Sequence, residues 1–250
     1  MNKCMVSMLL VFAASTNAAL TIDRSRLILN EGERSISVNV ENRNQHAPYL
    51  AQAWMEDINE AKSNHYIAVL PPLQRVEAGA KTKVRLQPLP NITALPQDRE
   101  SVLFFNLREI PPKSDQPNVF SLALQSRIKV FYRPKGIAVE SNTVLLPGAR
   151  EITLTRQGDG YAIHNPTPYH FSFVEARDAG NRAIKRFTPV MVPPKSTDNL
   201  SVLASEMGGS PTLVYLNDFG SQRALLFSCD GKTCRVSEEL GKVKVVMLDE

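Results

Sequence analysis

A chain of 250 residues, 43% of them hydrophobic, is long enough for one large or two ordinary domains, each burying its own core. Its formal charge is only +4, and Lys and Arg are scattered without a basic block, which argues against a nucleic-acid partner. Apart from a short run near the N-terminus no segment is long and uncharged enough to cross a bilayer, so membrane insertion is not expected.

In chain order, Lys3 precedes an apolar run over residues 5–12, followed by Thr16-Asn17-Ala18-Ala19. That is the layout of a cleavable signal peptide over residues 1–18, which predicts secretion. Small residues at Thr16 and Ala18 fit cleavage after Ala18; cleavage after Ala19 stays open, and either cut removes Cys4. Apolar and polar residues then alternate: Ile36, Val38 and Val40, then Val84 and Leu86. The pattern resumes at Ile152 and Leu154, Tyr161 and Ile163, Phe171 and Phe173, and from Thr212 to Leu216. Period two marks half-buried strands.

Turn clusters at Leu70-Pro71-Pro72, Ile110-Pro111-Pro112 and Val192-Pro193-Pro194 break these segments, and no sustained helical period occurs. The expected class is all-β, built as antiparallel sandwiches. The pattern pauses at Arg133-Pro134-Lys135-Gly136, which predicts a short hinge, domains over 19–137 and 138–250, and a cleft at the joint. Trp54 has no cysteine pair beside it in the first domain, so the sandwich is expected to be only immunoglobulin-like, with Trp54 a core or sheet-face residue.

Cys229 and Cys234 flank a segment in which Asp230-Gly231 is a hairpin-turn dipeptide. A disulfide is the expectation for a secreted chain, contributing about 2 kcal/mol for so short a loop. A zinc site would need His164 and His170 as further ligands and a closer cysteine spacing. No nucleophile, metal-protease or phosphate-loop motif is found, and His46, His65, His164 and His170 lie near expected turns or strand ends, where they should be exposed. Neither an enzyme nor a cofactor, ATP included, is indicated. Asn91-Ile92-Thr93 fits a glycosylation acceptor, a triplet that often arises by chance.

Near residue 120 the pattern changes character. Phe120, Leu122 and Leu124 share one face, separated by the small Ser121 and Ala123. The row reads either as a plain core strand or as an edge strand held ready for a partner. An unpaired apolar edge is hazardous for a free protein, so a chain would keep one only for use. Self-association of the free protein through this edge stays open.

The motifs around these positions closely resemble those of the periplasmic pilus (fimbrial) chaperones. In the first domain they are Asp23-Arg24-Ser25-Arg26, Pro48-Tyr49-Leu50-Ala51-Gln52-Ala53-Trp54, Leu95-Pro96-Gln97-Asp98-Arg99-Glu100-Ser101 and Phe105-Asn106-Leu107-Arg108-Glu109-Ile110-Pro111-Pro112. The likeness continues through Arg127-Ile128-Lys129-Val130-Phe131-Tyr132-Arg133-Pro134. It is patchier in the second domain, resting on Asn165-Pro166-Thr167-Pro168-Tyr169, Asn217-Asp218-Phe219-Gly220 and the cysteine hairpin.

The resemblance implies two immunoglobulin-like β-sandwich domains in a boomerang, located in the periplasm. It also implies a chaperone that folds and caps pilus subunits, pilins and adhesin, by donor-strand complementation and hands them to an outer-membrane usher. Carried over residue by residue, Arg26 and Lys129 anchor a subunit's C-terminal carboxylate. Phe120, Leu122, Leu124 and Ile128 form the donor strand, and Glu100, Arg133 and Asp218 form an interdomain salt bridge. The short loop over 110–119 resembles the branch that assembles rod-like pili. The chain continues past Cys234 in a tail, containing an apolar run at 243–248, that is longer than the family pattern. The rival reading is a secreted immunoglobulin-like adhesion or binding module that uses its loops; it should tolerate charge reversal at Lys129 and polar substitution at Leu122.

Overall fold

The computed structural model describes residues 18–113, 121–140, 143 and 145–237. Phe120 and the tail run at 243–248 lie outside the described residues. The alternating segments form strands, and the proline clusters end them. The first domain contains β1 (Leu20–Ile22), β2 (Arg26–Asn30), β3 (Ile36–Asn42), β4 (Tyr49–Glu56), β5 (Ile67–Leu70), β6 (Leu73–Val76), β7 (Lys81–Pro88), β8 (Ser101–Ile110) and β9 (Gln125–Arg133). The second contains β10 (Thr153–Gln157), β11 (Gly160–Asn165), β12 (Phe171–Arg177), β13 (Val190–Val192), β14 (Ser196–Leu203), the single-turn α1 (Ala204–Met207), β15 (Thr212–Leu216), β16 (Gln222–Asp230) and β17 (Thr233–Val236).

In the first domain a sheet of order β1-β3-β7-β5 faces one of order β2-β9-β8-β4-β6. Inward residues such as Leu29, Val38, Val84, Phe105 and Val130 are fully buried between them. The chain changes sheets at Asp23-Arg24-Ser25: β1 runs antiparallel to β3, whereas β2 runs parallel to β9. That parallel pair sets Arg26 beside Lys129.

In the second domain eight strands form one hydrogen-bonded series, β13-β12-β15-β16-β17-β10-β11-β14. Its long strand β16 pairs with β15 through Gln222–Leu226 and with β17 from Phe227 onward, turning the series around a core of Phe171, Phe173, Tyr215 and Phe227. Cys229 lies opposite Cys234 on β16 and β17, and the two are disulfide-bonded. The turn between those strands is Gly231-Lys232, one residue later than expected, because Asp230 already pairs with Thr233. Gly231 alone takes the positive φ that the turn requires, +58°.

Candidate functional site: a cationic pair, an open edge and a buried joint

Strand alternation gives the β2-β9-β8 sheet two unlike faces. Ile128, Val130 and Tyr132 point into the first domain's core, while Lys129 and Phe131 share the opposite face with Arg26 and Ile28. Phe131, Val102 and Phe104 form a small cluster there, and Met191 of the second domain packs against it. The face that carries the basic pair therefore also carries the domain joint.

Arg26 is buried, donates from Nη1 to the Leu216 carbonyl at 2.9 Å, and lies 5.8 Å from the Phe131 ring centre. Its Nε is buried without a partner. Lys129 Nζ donates to Ser172 Oγ at 3.2 Å. Burial pulls both pKa values down. For Lys129 the neighbouring Arg26 and Arg127 add to the effect, whereas for Arg26 the carboxylates of Asp218 and Glu100 oppose it. Among the described residues neither cation forms an ion pair. Two desolvated, mutually repelling donors on one face make a receptor for an anion, and a carboxylate would relieve both penalties.

Arg133, at the end of β9, fills the joint. Its Nε and Nη2 donate to Glu100 Oε1 at 2.9 and 2.6 Å, and its Nη1 and Nη2 donate to Asp218 Oδ2 and Oδ1 at 2.8 and 3.1 Å. The guanidinium also lies 5.1 Å from the Tyr169 ring centre. Burial pushes the Glu100 carboxyl upward, but the hydrogen bonds from His170 and the charge of Arg133 outweigh it, so its pKa is lowered overall.

His170 corrects the expectation that all four histidines are exposed. It is buried, donates its backbone N–H to Glu100 Oε2 at 2.8 Å, and sets its ring against Phe131. Its engagement at the joint, together with the closed disulfide, removes the zinc reading. Ser172 and the Leu216 carbonyl also belong to this neighbourhood, and no sequence pattern marks them; Gly220, from the Asn217-Asp218-Phe219-Gly220 motif, lies there too. Gly220 has φ +77°, and a Cβ there would come within 2.5 Å of Ser25 Oγ, so only glycine lets the second domain approach the sheet change at this point.

Along β9 the donor-strand residues divide. Leu122 and Leu124 are 61% and 43% exposed. Ile128 instead turns its side chain into the first domain's own core, while its backbone stays on the edge that β2 leaves uncovered. The reason is parity, since positions 122, 124, 128 and 130 share the core-facing phase, and the sandwich ends between the second and third of them. The assigned strand begins at Gln125, later than a donor strand from residue 120 would have it, although Glu109 N–H still donates to the Leu124 carbonyl at 3.0 Å. β2 covers β9 only from Lys129 onward, so the edge of Gln125–Ile128 away from β8 has no neighbouring strand among the described residues.

Trp54 sits on the non-core face of β4. Its Nε1 donates to Glu56 at 2.8 Å, and Arg108 and Lys62 lie over its ring, consistent with a sheet-face residue.

Comparison with known proteins places this architecture. The family model described as "Pili and flagellar-assembly chaperone, PapD N-terminal domain" matches residues 19–138, and that described as "Pili assembly chaperone PapD, C-terminal domain" matches 147–227. The chain is 45% identical to the probable fimbrial chaperone YfcS of Escherichia coli K12, over 90% of this chain and 88% of that one. It is 39% identical to the chaperone protein PapD of Escherichia coli, over 95% and 98%. Among solved structures, the periplasmic chaperone SfaE matches with TM-score 0.65 and 26% identity, over 83% of this chain and 98% of that one. The YadV chaperone matches with TM-score 0.68 and 25% identity, over 85% and 100%.

Proposed function

The chain belongs to the family of pilus-assembly chaperones, and from that premise we propose that it acts in the periplasm, lending its β9 edge to pilus subunits until they reach an outer-membrane usher. The observation that carries this reading is the open edge itself. It ends where Arg26 and Lys129 stand side by side, and it leads outward to two exposed leucines. A guest strand whose terminal carboxylate sits on the two cations, and whose main chain pairs along Gln125–Ile128, runs parallel to β9 in the lane that β2 vacates.

Charge-assisted hydrogen bonds of this kind contribute on the order of 1.5–3 kcal/mol each. Burying each leucine in a guest's unfinished core adds roughly 1.5–3 kcal/mol. The cations set register, and the apolar row supplies much of the affinity. Arg133 with Glu100 and Asp218 holds the two domains at the angle that keeps Ser172 against Lys129, a structural role that needs no catalytic group. Export follows from the N-terminal leader. The short sequence between Ile110 and Val119 resembles that of the branch that builds rod-like pili, and subunits of that kind are the proposed guests.

The test is periplasmic co-expression with a pilin and purification of a one-to-one complex. The reading expects the complex with the wild-type chain and its loss with Lys129→Glu or Leu122→Ser. A loop-binding adhesion module would give the same result with all three proteins.

A further inference from the structure

Glu109 is a buried carboxylate that the reading above does not use. It lies near the end of β8, is 5% exposed, and forms no ion pair with a Lys, Arg or His among the described residues. Its one side-chain hydrogen bond among them reaches across the sandwich, where the backbone N–H of Leu20 donates to Oε2 at 2.8 Å. A buried carboxylate held by a single neutral donor lacks a counter-charge, an arrangement that costs free energy unless a cation comes within reach.

The segment it grips is the start of β1. This edge strand of three residues pairs with β3 through Leu20 opposite Asn42, Thr21 opposite Glu41 and Ile22 opposite Val40. Ala19 precedes it, with a buried side chain and a carbonyl that accepts the Arg43 N–H at 2.7 Å. Both contacts would be lost if the chain began at Leu20. The Ala19 nitrogen lies one residue, about 3.5 Å, from the Leu20 nitrogen that donates to Glu109 at 2.8 Å, so it stands no farther than about 6 Å from that carboxylate oxygen, the outer reach at which an ammonium group stabilises a carboxylate. The other charges beside β1 point elsewhere: Glu41 faces Lys81 at 3.7 Å, and the Arg43 side chain is exposed.

We propose that Glu109 is the receptor for the processed N-terminus: cleavage after Ala18 frees the α-ammonium group of Ala19, which becomes the counter-charge of the Glu109 carboxylate and locks β1 across the sandwich. Hydrolysis of the Ala18–Ala19 peptide bond supplies the new amine, and water provides the atoms that complete both ends. The same residue's backbone N–H holds the Leu124 carbonyl at the root of the open edge. Removal of the leader and ordering of the guest-binding edge therefore meet at one residue. The inference rests on the export reading in one respect only, that a leader is removed.

Intact mass of the protein purified from a periplasm gives its first residue, and NMR titration of the Ala19 methyl group gives the pKa of its amine. The expected results are a chain starting at Ala19 and an amine titrating at least about one unit above the usual 7.7–8.0, returning to that range in Glu109→Gln. One extra residue placed before Ala19 should lower the melting temperature as much as Glu109→Gln does, with no further loss when the two are combined. A chain starting at any other residue, an amine pKa indifferent to Glu109→Gln, or additive losses in the combined variant would each overturn the proposal. Loss of the leader seen by mass, with an indifferent amine, would overturn it while leaving the export reading intact; retention of the leader would remove both.

Discussion

The domain joint and the leading end of β9 lie on the same sheet, yet they are built on opposite principles. At the joint, Arg133 has two carboxylates, Glu100 has Arg133 and His170, and Met191 covers the Phe131 cluster. At the edge, Leu122 and Leu124 stand in solvent in phase with a core row that continues without them. The joint is complete within one chain, whereas the edge lacks the surface that would finish it. Arg26 and Lys129 stand at the boundary, each held by a single neutral acceptor, with Arg26 Nε left unpartnered and no anion between them among the described residues. Substitutions at the joint should therefore register in the free protein, and substitutions at the edge only when a guest is present.

The largest expected effect is at the joint. Arg133→Ala leaves the buried Glu100 and the partly buried Asp218 without their shared guanidinium, and breaking a buried pair typically costs about 3–5 kcal/mol. Thermal or denaturant unfolding should show that loss in the free protein. The converse case is Leu122→Ser: its melting temperature should match the wild type, while affinity for a pilin falls by roughly 1.5–3 kcal/mol, or about 10- to 150-fold. Equal effects of Leu122→Ser on stability and binding would erase the contrast between the two regions. Replacing both Cys229 and Cys234 by Ser should cost about 2 kcal/mol in unfolding because the closed loop is so short, with pilin binding retained.

The mildest effect is a dependence on acid. The Glu100 carboxyl sits below its ordinary value of 4.5 in the folded protein. Its contribution is therefore fully present above that value and is lost as the pH falls through the lower, folded one. Melting temperatures measured from pH 6 downward should decline more steeply for the wild type than for Glu100→Gln. Parallel curves would show that this carboxylate does not carry the acid sensitivity of the joint.

Much of the fold was legible from period two, because strands such as β3 and β7 are half-buried and alternate cleanly, whereas β11 and β15 are buried through consecutive positions. The single turn of α1 was not, since four residues are too few to display a helical period. The burial of His170 was equally hidden: it depends on how one domain lands on the other, and no local pattern records that. Arg26 and Lys129 lie far apart in the chain, so only the motif resemblance joined them, and the parallel pairing of β2 with β9 supplies the physical cause. That the Ile128 side chain turns inward while those of Leu122 and Leu124 do not was hidden because all three share one phase, and the sequence carries no mark where the sandwich stops covering it.

The most direct measurement compares one pilin C-terminal peptide in two forms, free carboxylate and amide, for affinity to the wild-type protein by calorimetry. If Arg26 and Lys129 receive the terminal carboxylate, amidation should weaken binding at least about tenfold, which is about 1.4 kcal/mol, and Lys129→Met should bind both forms with the same low affinity. Equal affinity of the wild type for the two peptides would contradict the account.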